Sequence, residues 1–435
     1  MERFALSRMK EWKENENRKP LIIRGARQVG KTWIMKTFGQ QYFEKTAYVN
    51  FDNNARMKQV FEGDLDIERL VLSISAETGV SIEAENTLII FDEVQEVPKA
   101  LTSLKYFYEN APQYAIVAAG SLLGVALHQG TSFPVGKVDF LDLYPLNFRE
   151  FLCAMGEKQF VSMLDSCDTQ MVTVFKTKYI ERLREYYFVG GMPEVVKDFS
   201  EKKDYNRVRA IQKNLINYYQ QDFSKHAEIK LVPRLNLVWN SIPMQLAKEN
   251  KKYIYGQVRE GSRAKDFELA IQWLLDCGLI HKVQRIQKPD LPLKAYIDFD
   301  AFKLFLVDIG LLIAMTDLDA KVIIEGNKIF TEFNGSLTEQ YILQQLISDV
   351  GVIPYYYSTQ NSKGEIDFLV QGKTSVIPIE VKAEENLKAK SLKAFCEKYQ
   401  PSYAVRTSMS DYREQDWMTN IPLYAVKWIK NYVNQ

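Results

Sequence analysis

The feature that most constrains this chain is an eight-residue segment near its start, which runs from Gly25 to Thr32 and reads Gly-Ala-Arg-Gln-Val-Gly-Lys-Thr. Two glycines allow a backbone path that turns successive N–H groups toward phosphate oxygens, while the lysine supplies a mobile positive charge and the threonine a ligand for Mg²⁺. The apolar run Leu21-Ile22-Ile23 precedes the segment, and helix-length sequence follows from Trp33. Strand, loop and helix in this order predict a nucleoside triphosphate site, whose phosphates contact Gly25, Ala26, Arg27, Gln28, Val29, Gly30, Lys31 and Thr32.

A second segment supplies the acidic groups that such a loop requires. Leu88-Ile89-Ile90-Phe91 is a short apolar run, and Asp92 and Glu93 follow it directly. We expect Asp92 to hold Mg²⁺ together with Thr32, and Glu93 to orient and polarise the attacking water. A carboxylate beside the metal-binding aspartate favours ATP hydrolysis over simple retention of the nucleotide. The alternative is a strand that ends in an ordinary polar turn.

Two further contributions to this site are predicted less directly. The apolar run Ala115-Ile116-Val117-Ala118 leads to Ser121, which is a candidate sensor of the γ-phosphate and alternatively an ordinary turn serine. An arginine finger is not assigned. Arg27 lies inside the loop, and Arg149 and Arg184 are distant in sequence.

Composition excludes several classes of protein. The 435 residues are 46% hydrophobic and 26% charged, which is typical of globular proteins and excludes disordered and collagen-like chains. With 56 Lys+Arg against 55 Asp+Glu the net charge is +1, which argues against a general polyanion binder. Four cysteines form no CxxC pair, and only three histidines are present, so neither a zinc site nor a disulfide framework is predicted. The start lacks a signal-peptide pattern, and the longest apolar stretch, Ala115 to Leu127, is too short to span a bilayer. We therefore expect a soluble, cytoplasmic protein with no membrane partner.

The order of strand and helix patterns predicts how the chain divides. Residues 1–150 alternate short apolar strands with helices, which indicates an α/β fold with a parallel sheet covered by helices on both faces. Residues from about Phe148 to Asp222 are mostly helical in pattern, and residues from about Leu231 to Val283 predict a small helical module with a short hairpin. Residues 331–435 predict an α+β domain with a helix, three strands, a further helix and a last strand.

The motifs taken together resemble a known family. In order they are Gly25–Thr32, Asp92-Glu93-Val94-Gln95, Gly120-Ser121, the segment from Tyr144 to Phe151, and the segment from Gly190 to Glu194. They resemble a bacterial and archaeal family of AAA-like P-loop ATPases that carry a C-terminal restriction-endonuclease-like domain of unknown function. The resemblance implies an AAA-like domain in 1–150, a helical extension in 151–230, a winged-helix-like module in 231–330 and a nuclease-like domain in 331–435. Gly136-Lys137 stands where the family often has Gly-Arg, and a lysine does not reproduce the bidentate contacts of an arginine.

The last domain carries a second group of carboxylates. Glu380 and Lys382 are two apart on a predicted strand and share a face, Asp367 lies on the preceding strand, and Glu339 lies on the helix before them. This pattern resembles PD-(D/E)xK nucleases, in which carboxylates hold Mg²⁺ and a lysine orients the water, although Ile366 replaces the proline. These four residues are thus a candidate second metal site. The alternative is a solvated Glu380–Lys382 pair and an edge-strand charge at Asp367.

Contacts with nucleic acid are a further hypothesis. The helix from Ala264 to Cys277 has Arg259, Arg263 and Lys265 near its start, but its apolar stripe favours packing against neighbouring helices. Three consecutive tyrosines, 355–357, can stack on bases in principle, although strand aromatics more often pack in a core. We assign no chemistry to His128, His226 and His281.

These observations predict a Mg²⁺-dependent ATPase whose nucleotide state is coupled to the C-terminal nuclease-like domain. Its cofactors are ATP and Mg²⁺, and nucleic acid, another protein and further copies of the chain are candidate partners. Two alternatives stay open. The first is an ATP-regulated nuclease that acts on DNA or RNA, and the second is a non-enzymatic, nucleotide-gated scaffold.

Overall fold

A computed structural model describes residues 2–120, 133–248, 251–324, 331–359, 364–384 and 389–435, with the side chains of 331 and 332 excepted. The chain forms two compact units. The N-terminal unit comprises Glu2–Tyr144 together with Asp276–Leu279, and the C-terminal unit comprises Pro145–Leu275 and Ile280–Gln435. The division into four domains is not decided by these units and stays a prediction.

The N-terminal unit contains a five-stranded sheet in which all neighbouring strands are parallel. Its strands are β1 (Leu21–Arg24), β2 (Lys45–Asn50), β3 (Thr87–Asp92), β4 (Ala115–Ala119) and β5 (Asp139–Asp142), in the order β2-β3-β4-β1-β5. Its helices are α1 (Ala5–Glu14), α2 (Lys31–Tyr42), α3 (Ala55–Glu62), α4 (Ile67–Thr78) and α5 (Pro98–Asn110). Strands β3 and β4 are buried along their whole length, as expected for inner strands of a parallel sheet with both faces covered. The predicted α/β fold is therefore confirmed.

Strand order brings the predicted motifs to one edge of this sheet. The loop after β1 and the acidic pair at the end of β3 lie on either side of β4, which pairs with both strands. Carboxyl ends of parallel strands meet at the same edge, where open α/β sheets place their ligands. On one face of the sheet, Phe51, Phe61 and Phe91 pack edge to face at centroid distances of 5.3–5.6 Å.

The C-terminal unit joins a helical region to an eight-stranded mixed sheet. Its helices are α6 (Phe148–Ala154), α7 (Lys158–Ser166), α8 (Thr169–Val174), α9 (Lys176–Val189), α10 (Pro193–Lys202), α11 (Tyr205–His226), α12 (Val232–Leu246), α13 (Tyr255–Val258), α14 (Ala264–Asp276), α15 (Ile309–Met315), α16 (Ala320–Ile324), α17 (Thr331–Gln345), α18 (Lys390–Tyr399) and α19 (Ile429–Val433). Its strands are β6 (Ile280–Ile286), β7 (Ile297–Leu306), β8 (Tyr355–Ser358), β9 (Glu365–Gln371), β10 (Val376–Val381), β11 (Val405–Ser408), β12 (Arg413–Gln415) and β13 (Met418–Pro422). The order across the sheet is β12-β13-β11-β10-β9-β8-β6-β7. The β6–β7 hairpin therefore continues the sheet of the C-terminal strands, because β6 pairs with β8.

A buried junction in the C-terminal unit accounts for two motifs of the family resemblance. Asn147 and Glu150 form a capping box at the start of α6, and Leu146 donates its N–H to the carbonyl of Gly191 at 2.7 Å. The N–H of Gly191 in turn donates to Asp308 Oδ2 at 2.6 Å. A Cβ atom on Gly191 would lie 2.1 Å from the Leu146 carbonyl oxygen, so only glycine permits this approach. Both motifs are thus explained by packing.

None of the helices in the described residues is long and apolar enough to cross a membrane.

Candidate functional site

The loop between β1 and α2 has the backbone that the glycines predict. Gly25 has φ +145°, and a Cβ atom there would lie 2.1 Å from the carbonyl oxygen of Leu143. Gly30 has φ +93° at the N-terminus of α2, and Gln28 also has positive φ. Such conformations are open to glycine and strained for most other residues. The loop therefore leads directly into a helix N-terminus, which is the arrangement that binds phosphate groups.

Lys31 is held inside this loop by neutral groups. Its Nζ donates to the carbonyls of Gly25 at 2.9 Å and Ala26 at 2.8 Å, and the residue is 7% exposed. Burial lowers the pKa of Lys31 to about 8, although Glu93 and Asp92 act in the opposite direction. The ammonium is thus desolvated, and its hydrogen-bond partners among the described residues are neutral carbonyls, so an anion that entered the loop would stabilise its charged form.

The two predicted metal ligands are in contact. Thr32 Oγ1 donates to Asp92 Oδ2 at 2.7 Å, and the hydroxyl of Tyr48 donates to the same oxygen at 3.0 Å. Hydroxyl and carboxylate oxygens are the donors that Mg²⁺ prefers, so Thr32 and Asp92 fit the ion that the fold implies. Tyr48 was not predicted as a site residue. It reaches Asp92 because β2 pairs with β3, a neighbour relation that the sequence pattern does not specify.

Glu93 has a strained backbone, and a hydrogen bond holds its side chain. Its backbone is left-handed, with φ 52° and ψ 44°, a conformation that costs energy for a residue with a side chain. Gln95 Nε2 donates to Glu93 Oε2 at 2.7 Å. Gln95 therefore orients the carboxylate that we expect to act on water. Its presence in the motif from Asp92 to Gln95 was the signal for this role.

The segment Asp276–Leu279 also belongs to the N-terminal unit. Gly278 has φ +69°, and a Cβ atom at this position would lie 3.1 Å from the backbone nitrogen of Ala26. The sequence carried no sign of this approach, because the segment is far from the loop along the chain.

The remaining candidates for the phosphate site are placed as follows. Ser121 lies outside the described residues. Arg149 is buried and forms ion pairs with Asp349 at 2.8 Å and Asp165 at 2.5 Å within the C-terminal unit. Arg184 donates to the carbonyl of Ile324 at 3.4 Å in the same unit. The assignment of an arginine finger therefore stays open, as the sequence left it.

The second predicted site lies on α17 and on the neighbouring strands β9 and β10. Glu339 on α17 and Asp367 on β9 lie in one buried cluster, while Glu380 forms an ion pair with Lys382 at 2.8 Å. In the parts of the chain that the structure describes, no three histidine, cysteine or acidic side chains are grouped so that they could hold a metal ion. The assignment of the four residues to one metal site stays a prediction.

Two lysines form ion pairs with the carboxylates of the buried cluster. Lys303 on β7 is 0% exposed, and its Nζ pairs with Glu365 and lies 3.6 Å from Glu339 Oε2. Lys251 pairs with the other oxygen of Glu339. Neither lysine was predicted, because β7 and residue 251 precede the nuclease-like segment and carry no part of its pattern.

The charged groups of this cluster shift one another's pKa values. Burial would lower the pKa of Lys303, but Glu339, Glu365 and Asp367 outweigh it and raise that pKa well above its usual value. Burial and the neighbouring Glu339 raise the pKa of Asp367 to about 8. The pKa of Glu339 is lowered, because Lys251 and Lys303 overcome the effect of burial.

The structure also bears on the nucleic-acid hypothesis. Arg259, Arg263 and Lys265 are exposed, while the apolar stripe of α14 is buried. The three tyrosines 355–357 are buried, and Tyr357 and Tyr399 share a hydrogen bond of 2.8 Å. The prediction that these tyrosines pack in a core is confirmed, so they are not available to stack on bases. His128 lies outside the described residues.

Three regions of the chain match known protein families, and two of these families have no known function. Residues 17–152 match the family described as AAA domain, and residues 180–322 and 334–426 match two domains of unknown function, DUF8612 and DUF4143. No curated protein matches the chain. The N-terminal unit thus contains an AAA-like P-loop ATPase domain, as the phosphate loop and its sheet indicate.

Solved structures resemble the chain weakly. The Walker-type ATPase PABY2304 of Pyrococcus abyssi is 15% identical, with a TM-score of 0.44 and coverage of 72% of this chain and 95% of its own. The Orc1 protein of Aeropyrum pernix in complex with DNA is 13% identical, with a TM-score of 0.27 and coverage of 72% and 91%. The RuvB Holliday junction branch migration motor of Thermotoga maritima is 11% identical, with a TM-score of 0.28 and coverage of 64% and 87%. Because these TM-scores lie below 0.5, they carry no information about the substrate or partners of this chain.

Proposed function

We propose that this protein is a Mg²⁺-dependent ATPase. The observation that carries the proposal is the convergence of four groups at one sheet edge: Lys31 in the loop, Thr32 in contact with Asp92, and Glu93 at the end of β3. This is the set of groups that phosphoryl transfer to water requires.

Each residue has a defined task in the proposed reaction. Backbone N–H groups of the loop and the ammonium of Lys31 bind the phosphate oxygens, while Thr32 and Asp92 would hold the Mg²⁺ ion. That ion supplies positive charge that neutralises the phosphates. Glu93 accepts a proton from a water molecule whose oxygen bonds to the γ-phosphorus. As the bond to the bridging oxygen breaks, its electron pair stays on ADP, and inorganic phosphate is released.

Two variants test the mechanism. Lys31→Ala should lose ATP binding, measured by calorimetry, because the loop loses its mobile charge. Glu93→Gln should bind ATP as the wild type does but hydrolyse it about 100-fold more slowly, since it loses the proton acceptor. Wild-type turnover in both variants would remove the mechanism, and ATP binding without turnover in the wild type would favour the nucleotide-gated scaffold.

We also propose that the nucleotide state is coupled to the C-terminal unit. The path of the chain supports this coupling, because residues 276–279 belong to the N-terminal unit while the segments on both sides belong to the C-terminal unit. Hydrogen exchange of β6 and α14 should therefore differ between the ATP-bound Glu93→Gln variant and its nucleotide-free form. Equal exchange in both forms would argue against coupling. Nucleic acid, another protein and a homo-oligomer stay candidate partners, and the structure favours none of them.

A further inference from the structure

The carboxylate cluster of the C-terminal unit already contains cations. Glu339, Glu365 and Asp367 come from α17 and β9, and the ammonium of Lys303 contacts the first two from β7. Lys251 contacts Glu339 from the opposite oxygen. Four segments of the chain thus supply a cluster that contains both carboxylates and ammonium groups.

Lys303 is fixed in this position by its own strand. It pairs with Val283 in the β6–β7 ladder, its side chain is 0% exposed, and its Nζ lies 4.9 Å from the ring centroid of Tyr356. A lysine on a flexible surface segment can leave a carboxylate to let a metal ion enter. Lys303 can leave only if the packing around β7 is broken, so its ammonium is a permanent part of the cluster.

An ammonium and a divalent ion make different demands on such a cluster. Mg²⁺ needs about six oxygen ligands at about 2.0–2.1 Å and brings two charges. An ammonium brings one charge and three N–H donors, and contacts carboxylates at about 2.7–2.9 Å. Lys251 pairs with Glu339 and Lys303 with Glu365, and Asp367 Oδ2 accepts a hydrogen bond from the backbone of Val381 at 2.7 Å. Glu339 Oε2 is buried without a hydrogen-bond partner among the described residues and has the ammonium of Lys303 3.6 Å away. Two ammonium groups and a backbone N–H thus surround carboxylates that a divalent ion would need as open oxygen ligands.

The charge count agrees with this description. Three carboxylates and two ammonium groups leave one negative charge when all are ionised. Most of the negative charge that would attract a further cation is therefore already balanced by the two lysines.

We propose that Lys303 takes the place that a divalent cation has in PD-(D/E)xK nucleases, and that the C-terminal domain is a non-cleaving module stabilised by internal ion pairs. The other two residues of the nuclease pattern agree, because Glu380 and Lys382 neutralise each other at 2.8 Å. The proposal does not depend on ATP hydrolysis by the N-terminal unit.

The first experiment measures Mn²⁺ binding without nucleotide by electron paramagnetic resonance. The full chain carries Asp92→Asn, so that the phosphate loop contributes no metal site. We expect the same weak binding with and without Asp367→Asn. A Mn²⁺ site in the parent that Asp367→Asn or Glu339→Gln abolishes would overturn the proposal.

The second experiment removes the internal cation. Lys303→Met in the same background leaves the carboxylates together without the ammonium, and we expect it to gain a Mn²⁺ site that Glu339→Gln removes again. The matched control is Lys382→Met, which removes a lysine from the neighbouring pair and should create no such site. If Lys303→Met binds Mn²⁺ no better than its parent, Lys303 does not take the place of a metal ion.

A folding defect in Lys303→Met does not prevent the test. The charge-balanced variant Lys303→Met/Glu365→Gln should then recover most of the lost thermal stability, and failure to recover it would overturn the pairing.

In parallel, wild-type protein should not cleave single- or double-stranded DNA or RNA with Mg²⁺ or Mn²⁺, with or without ATP, above an Asp367→Ala control. Cleavage that depends on Asp367 would refute the proposal while leaving the ATPase intact.

Discussion

Two buried lysines in this molecule illustrate opposite solutions to the same physical problem. Lys31 in the phosphate loop contacts only neutral carbonyl oxygens among its described hydrogen-bond partners, and burial lowers its pKa to about 8. Lys303 in the C-terminal cluster faces Glu339, Glu365 and Asp367, whose charges outweigh burial and raise its pKa. The same side chain is thus destabilised as a cation in one region and stabilised in the other.

The difference indicates which region awaits a ligand. A desolvated cation without a direct anion gains from any phosphate that enters, so the charge of Lys31 is available for binding. The charge of Lys303 is already neutralised within the fold. A carboxylate cluster is therefore evidence for a metal site only after the cations that surround it have been identified, because internal lysines can satisfy the same carboxylates.

The largest effect that we predict tests the C-terminal half of this comparison. Lys303→Met should lower the free energy of unfolding by about 3–5 kcal/mol, because it leaves the buried Glu339 and the partly exposed Glu365 with less compensation. Urea unfolding followed by circular dichroism measures this change. As a control, Lys213→Met breaks the solvent-exposed pair with Asp317 and should leave stability nearly unchanged. A loss below 1 kcal/mol in Lys303→Met would show that the cluster is not a compensated ion-pair network.

The matching substitution in the phosphate loop should have the opposite effect, because it should weaken ATP binding and leave stability nearly unchanged. Lys31→Met should weaken ATP binding by about 100-fold, or about 2.7 kcal/mol, while the free energy of unfolding changes by no more than about 1 kcal/mol. Stability is preserved because the variant removes a charge that burial disfavours. Calorimetric titration with ATP and urea unfolding give the two numbers. Should Lys31→Met unfold as readily as Lys303→Met, the two lysines would not differ as we argue.

The two regions also differ in how far the sequence could predict them. The phosphate loop is a run of eight consecutive residues between a strand and a helix, so its backbone and its lysine follow from local pattern alone. The strands of the N-terminal sheet were likewise recognisable, since inner parallel strands are continuously apolar. Tyr48 was missed because its contact with Asp92 depends on which strand lies beside β3.

The C-terminal cluster could be predicted only in part for the same reason. Glu339 and Asp367 were recognised from a pattern of spacing, but the pattern contains no information about β7. Lys303 enters the cluster because the β6–β7 hairpin extends the C-terminal sheet through the pairing of β6 with β8. Long-range strand pairing thus decides whether these carboxylates face a metal ion or an ammonium, and residue spacing does not.

A third buried titratable group, Asp308, has neutral hydrogen-bond donors among the residues that the structure describes. Asp308 accepts hydrogen bonds from the backbone of Gly191 and Leu311 and from Gln344, and it lies close enough to Tyr186 to raise that residue's pKa. Burial raises the pKa of Asp308 to about 6, although these donors oppose the shift. The folded protein therefore binds a proton more tightly than the unfolded chain between about pH 4 and pH 6. Stability from this group is present below that window and is lost as the pH rises through it.

Asp308→Asn isolates this contribution, because asparagine does not titrate. The difference in free energy of unfolding between wild type and Asp308→Asn should fall by roughly 2 kcal/mol from pH 4 to pH 7, and then stay constant. Urea unfolding at intervals of half a pH unit measures the difference, so that other titrating groups cancel. A difference that rises with pH would mean that the N–H donors around Asp308 outweigh burial.

The smallest effect that we predict is on kcat. It concerns Gln95, which orients the carboxylate of Glu93 without neutralising its charge. Gln95→Ala should lower kcat for ATP hydrolysis by about 10-fold and leave KM within about twofold, because the carboxylate of Glu93 loses the donor that fixes it at 2.7 Å. Steady-state ATPase assays separate the two constants. In a Glu93→Gln background the same substitution should have no further effect on kcat, since the carboxylate it positions is absent. A change in KM alone would instead assign Gln95 to nucleotide binding. Unlike Lys303, Gln95 leaves the charge of its carboxylate available, and this is what a residue that accepts a proton from water requires.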